Sequence, residues 1–88
     1  MPVTVVFYVT SWCPDCMRSR RVLQRSGVAY QEIDIEKTPG AEAEMRALNG
    51  NSGKVPTILI DGAAGRTLLI EPSDRELMAA LSPVSQPA

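Results

Sequence analysis

The residues best equipped for chemistry are Cys13 and Cys16, the two cysteines of an 88-residue chain. They stand in Trp12-Cys13-Pro14-Asp15-Cys16, directly after an apolar, β-branched run that includes Val3, Val5, Val6, Phe7 and Val9. A Cys-x-x-Cys pair where a buried strand gives way to a helix makes one thiol reactive and its disulfide reversible. At a helix N-terminus, unpaired backbone N–H groups and the macrodipole favour a thiolate on the first sulfur. The second sulfur follows one turn later, near enough to close a disulfide with the first. This spacing points to thiol–disulfide exchange. The chain has no histidine, so activation of Cys13 falls to the helix end and to nearby cations rather than to an imidazole base.

Competing uses of two thiols are few. A structural zinc site needs four ligands, which two cysteines and no histidine cannot supply in one chain. A Cys₄ site shared by two copies, or a metal-delivery module using both thiols, are the remaining metal readings, and a bridging iron–sulfur cluster is disfavoured because Pro14 stiffens the turn between the cysteines; the expected metal content is none. Two cysteines are also too few for a disulfide-stapled secreted scaffold, and in a reducing compartment such a pair is catalytic rather than structural. The net charge of −1 suggests neither nucleic acid nor an acidic membrane as partner. No charged-then-apolar leader precedes Val3 and no stretch has the length of a membrane span, so the expected location is the cytoplasm.

The elements that position the thiols follow from pattern. Eighty-eight residues form one small domain, 1–88, with residues 82–88 expected as a flexible tail. Val3 to Val9 reads as a buried strand. Pro14 sits at a first helical position, and Gly27 stops the helix near Ser26. Residues 16, 19, 22, 23 and 26 share the face expected against the sheet, while Arg18, Arg21 and Arg25 share a solvated one. Val28 to Ile35 reads as a second strand, parallel to the first across the helical crossover. Thr38 is the expected cap of a second helix that Pro39 opens, with Met45 and Leu48 as its apolar stripe. Thr57 to Ile60 and Arg66 to Ile70 form a hairpin around Asp61-Gly62-Ala63-Ala64-Gly65. A last helix starts at Pro72-Ser73-Asp74, with Ser73 and Glu76 as a capping box and Leu77, Met78 and Leu81 inward. Met17, Met45 and Met78 read as core filler.

The order β-α-β-α-β-β-α, with Cys-x-x-Cys at the first strand-to-helix junction and Val55-Pro56 before the third strand, resembles the thioredoxin fold. Over residues 3–81 the chain is similar to glutaredoxins, an α/β class with a four-stranded mixed sheet flanked by helices. Thr10-Ser11-Trp12-Cys13, Val55-Pro56-Thr57 and Glu71-Pro72-Ser73 look most like the mycoredoxins, which work with a small thiol other than glutathione.

The resemblance implies that Cys13 is the exposed nucleophile and Cys16 the resolving thiol, with Pro14 between them. It implies a cis Pro56 packed against the pair, with the Val55 backbone turned toward a substrate. It puts an anion-binding position at Ser73 and Asp74. It implies no bound cofactor and, as co-substrate, a low-molecular-weight thiol of the mycothiol or bacillithiol type. The expected partners are oxidised client proteins carrying mixed disulfides, and the expected state is a monomer. The rival within the same fold is an NrdH-type dithiol carrier fed by thioredoxin reductase, although the Trp-Ser-Gly-Phe-type segment of those redoxins is missing here.

Two departures from the glutaredoxin pattern carry consequences. Asp15 stands where an aromatic is common, and a carboxylate beside the sulfur disfavours the thiolate and stabilises the disulfide. The alternative role for Asp15 is to complement the helix dipole, paired with Arg18. Leu69-Ile70-Glu71-Pro72 replaces the Gly-Gly pair of glutathione-binding members, and Glu71 is placed to repel an anionic ligand. Trp12 suits a substrate platform better than a lid on the sheet edge. Lys54 is either an aid to the Cys13 thiolate or a ligand carboxylate, or simply a solvated lysine.

Overall fold

The computed structural model describes residues 3–85, which form seven elements in the expected order. β1 (Thr4–Val9), β2 (Gln31–Asp34), β3 (Thr57–Gly62) and β4 (Gly65–Ile70) make one mixed sheet in the spatial order β2-β1-β3-β4. β2 runs parallel to β1, with Ile33 opposite Tyr8. β3 is antiparallel to β1, with Thr57 opposite Tyr8, and β4 is antiparallel to β3, with Ile70 opposite Thr57. The end of β1, the start of β3 and the end of β4 therefore meet at one edge of the sheet. That edge carries the two thiols.

Strand alternation divides the side chains of β1 between two faces. Val5, Phe7 and Val9 join Cys16, Leu23, Ile58, Ile60, Leu77 and Leu81 in the main core, built with α1 (Pro14–Ser26) and α3 (Asp74–Ser85). Tyr8 points the other way, toward α2 (Ala41–Leu48), where Met45 and Ala41 are buried. Its hydroxyl donates to Glu44 Oε1 at 2.6 Å. Burial first, then the hydrogen bond and charge of Glu44, push the Tyr8 hydroxyl from 10.0 up to about 12. The unfolded chain thus ionises Tyr8 before the folded chain does. The associated stability is complete below pH 10 and is lost as pH climbs toward 12. Urea unfolding at stepped pH is expected to show a flatter decline over that window in Tyr8→Phe; an unaltered slope would assign the decline to other groups.

α1 follows its sequence signals closely. Cys13 is its N-cap, Pro14 its first residue, and Gly27 ends it at φ +76 with its N–H donating to the Gln24 carbonyl. Glycine tolerates that left-handed conformation because it lacks a Cβ. Cys16, Ser19, Val22 and Leu23 are buried and Ser26 is half-buried. Arg20, which no pattern singled out, forks onto Glu32 of β2 at 2.8 and 2.7 Å, and its guanidinium sits 6.0 Å from the Phe7 ring centre. The last helix opens on the expected capping box: the Ser73 N–H donates to Glu76, and the Glu76 N–H donates to Ser73 Oγ.

Several expectations need correction. Met17 and Met78 are more than half exposed, so Met45 alone of the three fills the core. The second helix starts at Ala41, behind Gly40 at φ +81, because Thr38 closes a turn by accepting the Ala41 N–H instead of capping a helix opened by Pro39. β2 is confined to Gln31–Asp34, the stretch in register with β1, rather than running from Val28 to Ile35. β3 and β4 pair as far as Gly62 and Gly65, which shortens the hairpin turn to Ala63-Ala64. α3 continues through Ser85, past the expected start of the tail at residue 82; residues 86–88 lie outside the described residues. Among the described residues, no helix is long and apolar enough to cross a membrane.

Candidate active site

Chain direction puts Cys13 at the point where β1 has ended and α1 begins. As N-cap it holds extended dihedrals, φ −85 and ψ 113, and its sulfur accepts the Cys16 N–H at 3.0 Å. This satisfies one of the donors that a helix start leaves unpaired, and it aims a donor at any negative charge on Cys13. Across the site, the Cys13 thiol donates to the Val55 carbonyl at 3.8 Å. Cys13 is only 4% exposed, so its sulfur is recessed rather than exposed as expected.

Cys16 is fully buried in the main core. Burial is the main cause that pushes its thiol from 9.0 up to about 12, reinforced by the hydrogen bond and charge of Cys13. The Thr10 backbone and Arg20 oppose this without reversing it. The two sulfurs therefore sit in unlike surroundings: one at the helix mouth, one sealed beneath it. Both cysteines are free thiols here.

The Val55–Pro56 peptide bond is cis, as expected, and Pro56 is buried. A small polar clamp precedes it. Thr57, fully buried, donates from Oγ1 to the Lys54 carbonyl at 2.9 Å and accepts Asn49 Nδ2 at 3.1 Å. Asn49 Oδ1 in turn accepts the Ser52 N–H at 2.8 Å. These bonds tie the end of α2 to the loop that presents Val55 to Cys13. No periodicity could have revealed Asn49, because its partner lies eight residues away across an irregular loop.

Asp15 pairs with Arg18, both well exposed. Trp12 is 67% exposed, and its indole N–H donates to Glu36 Oε1 at 3.1 Å. Lys54 Nζ lies 3.5 Å from Glu71 Oε1 in a surface ion pair, with the Lys54 side chain 68% exposed. Ser73 spends its N–H and hydroxyl on Glu76, which holds the Glu76 carboxyl below the usual range. Asp74 lines a groove of about 300 Å³ between α1 and α3, together with Val22, Arg25, Ser26, Met78 and Leu81. Among the described residues, no three His, Cys, Asp or Glu side chains converge as a metal site.

The sequence profile of the glutaredoxin family matches residues 5–64. A glutaredoxin of Pseudomonas aeruginosa is 46% identical over 56 residues, 64% of this chain and 66% of that protein. A glutaredoxin-named protein of Mycobacterium tuberculosis is 38% identical over 77 residues, 88% of either chain. The crystal structure of a glutaredoxin from Archaeoglobus fulgidus superposes with a TM-score of 0.71 at 26% identity, covering 85% of this chain and 82% of that one. Fold, dithiol and family profile agree over most of the molecule: the chain belongs to the glutaredoxin family and is a thiol–disulfide oxidoreductase.

Proposed function

We propose that the protein reduces mixed disulfides between client proteins and a low-molecular-weight thiol of the mycothiol or bacillithiol type, in the cytoplasm and as a monomer. The observation that carries this reading is the placing of Cys13 Sγ between the Cys16 N–H at 3.0 Å and the Val55 carbonyl at 3.8 Å. The N–H stabilises negative charge on sulfur, while the carbonyl marks where an extended ligand backbone can lie.

In the reaction, the Cys13 thiolate attacks the small-thiol sulfur of the mixed disulfide in line. The sulfur–sulfur bond breaks, the client leaves as a thiolate and takes a proton from water, and Cys13 now carries the small thiol. The client has gained the electron pair. A second small thiol can then attack the adduct, or Cys16 can, releasing the small thiol and leaving a Cys13–Cys16 disulfide. Burial keeps Cys16 protonated near neutrality, which favours the external thiol and makes the internal route faster as pH rises. Trp12 and Pro14 line the approach, Val55 and Pro56 supply backbone, and a ligand whose far end reaches Ser73 and Asp74 at the start of α3 has to displace the Glu76 carboxylate from the Ser73 N–H. Asp15 stands between the two cysteines with its carboxylate paired to Arg18.

Turnover with glutathione, mycothiol, bacillithiol and a thioredoxin reductase, each offered as the sole electron source, tests this reading. It predicts turnover with mycothiol or bacillithiol and none with the reductase; turnover with glutathione alone would contradict the thiol type. Activity with the reductase alone would establish the dithiol-carrier reading instead.

A further inference from the structure

Lys54 and Glu71 flank the Val55–Pro56 segment from two separate loops. Lys54 immediately precedes Val55, whose carbonyl accepts a hydrogen bond from the Cys13 thiol, so it stands on the loop that borders that sulfur. Glu71, just past β4, adopts the left-handed region at φ +48, which is uncommon for a residue with a side chain. Its own N–H holds it there by donating to the Pro56 carbonyl at 2.8 Å. The carboxylate is thereby set 3.5 Å from Lys54 Nζ. The neighbouring charges are already engaged: Asp15 with Arg18, and Glu36 with the indole of Trp12.

We propose that Glu71 is a specificity residue that withholds Lys54 from carboxylate-bearing thiols and so favours an uncharged, hydroxyl-rich thiol such as a sugar thiol. This rests on the mixed-disulfide reading above and narrows its small thiol to one without carboxylates, the mycothiol rather than the bacillithiol type. A peptide thiol with two carboxylates would have to displace Glu71 from Lys54 and then lie against the freed carboxylate. An uncharged thiol does neither. Trp12, exposed and fixed through its N–H by Glu36, offers a flat apolar face on which a sugar ring packs.

The test uses a reporter peptide whose single cysteine carries either glutathione or 1-thioglucose in disulfide linkage. Reduced protein is added in excess, and the second-order rate of peptide release is measured for each adduct. In Glu71→Gln, the glutathione-to-thioglucose rate ratio is expected to rise about fivefold at low salt, the worth of roughly one unit-charge contact in water. At about 1 M salt, where screening acts within roughly 3 Å, most of the rise disappears. Adding Lys54→Gln to Glu71→Gln is expected to return the ratio toward the parental value. An unchanged ratio in Glu71→Gln, or a rise that Lys54→Gln leaves in place, overturns the proposal. Parental protein that releases peptide from neither adduct overturns the mixed-disulfide reading itself, so the two failures are distinct.

Discussion

Cys13→Ser is expected to bring mixed-disulfide reduction down to the rate seen without protein. A serine hydroxyl is a far weaker nucleophile than a thiol, and it cannot form the sulfur–sulfur intermediate at all. The helix itself survives the change, because serine is among the preferred N-cap residues and can accept the Cys16 N–H in place of sulfur. Unfolding by denaturant is therefore expected to move by less than about 1 kcal/mol while exchange is lost. Residual catalysis above background in Cys13→Ser would mean that Cys16, despite its burial, attacks substrate directly.

Leu77→Ala is expected to have the largest effect on stability. Leu77 is fully buried and joins α3 to the core that also holds Phe7, Cys16, Leu23 and Ile58. Truncation removes apolar contact and leaves a cavity, at a cost of about 2–5 kcal/mol. A domain of this size has on the order of 4–13 kcal/mol of unfolding free energy, so one methyl-rich side chain accounts for a large share of it. Urea denaturation monitored by Trp12 fluorescence measures the shift. A loss below about 1 kcal/mol would show that α3 relaxes onto α1 and fills the space.

The sequence carried the fold because its strongest signals are local. Alternation in Val5, Phe7 and Val9, Pro14 after an N-cap, Gly27 after a helix and the Ser73–Glu76 box each act within a few residues, and each appears where expected. Met17 and Met78 are exposed for different reasons: Met17 lies off the 16-19-22-23-26 face, so residue type alone suggested burial, while the repeat that includes Met78 names a face without saying how wide the covering neighbour is. Thr38-Pro39 is a sound helix-start signal, yet the chain turns once more and lets Gly40 cap the helix. At the site, the two sulfurs and Pro56 were legible from spacing and resemblance. The partners of Trp12, Lys54 and Thr57 were not, since Glu36, Glu71 and Asn49 reach them across loops whose geometry only the folded chain defines. The recess of Cys13 was hidden for the same reason: a cap residue reads as surface until Val55 closes over it.

The central claim, that Cys13 takes the small thiol and frees the client, is tested most directly by intact mass measurement of Cys16→Ser. That variant removes the internal route of resolution while leaving Cys13 in place. After it meets a peptide carrying a small-thiol mixed disulfide, with no free thiol added, its mass is expected to rise by one small thiol in disulfide linkage at Cys13. The peptide is expected to be released in its reduced form in equal amount. An adduct that carries the peptide instead, or no adduct at Cys13, would contradict this account.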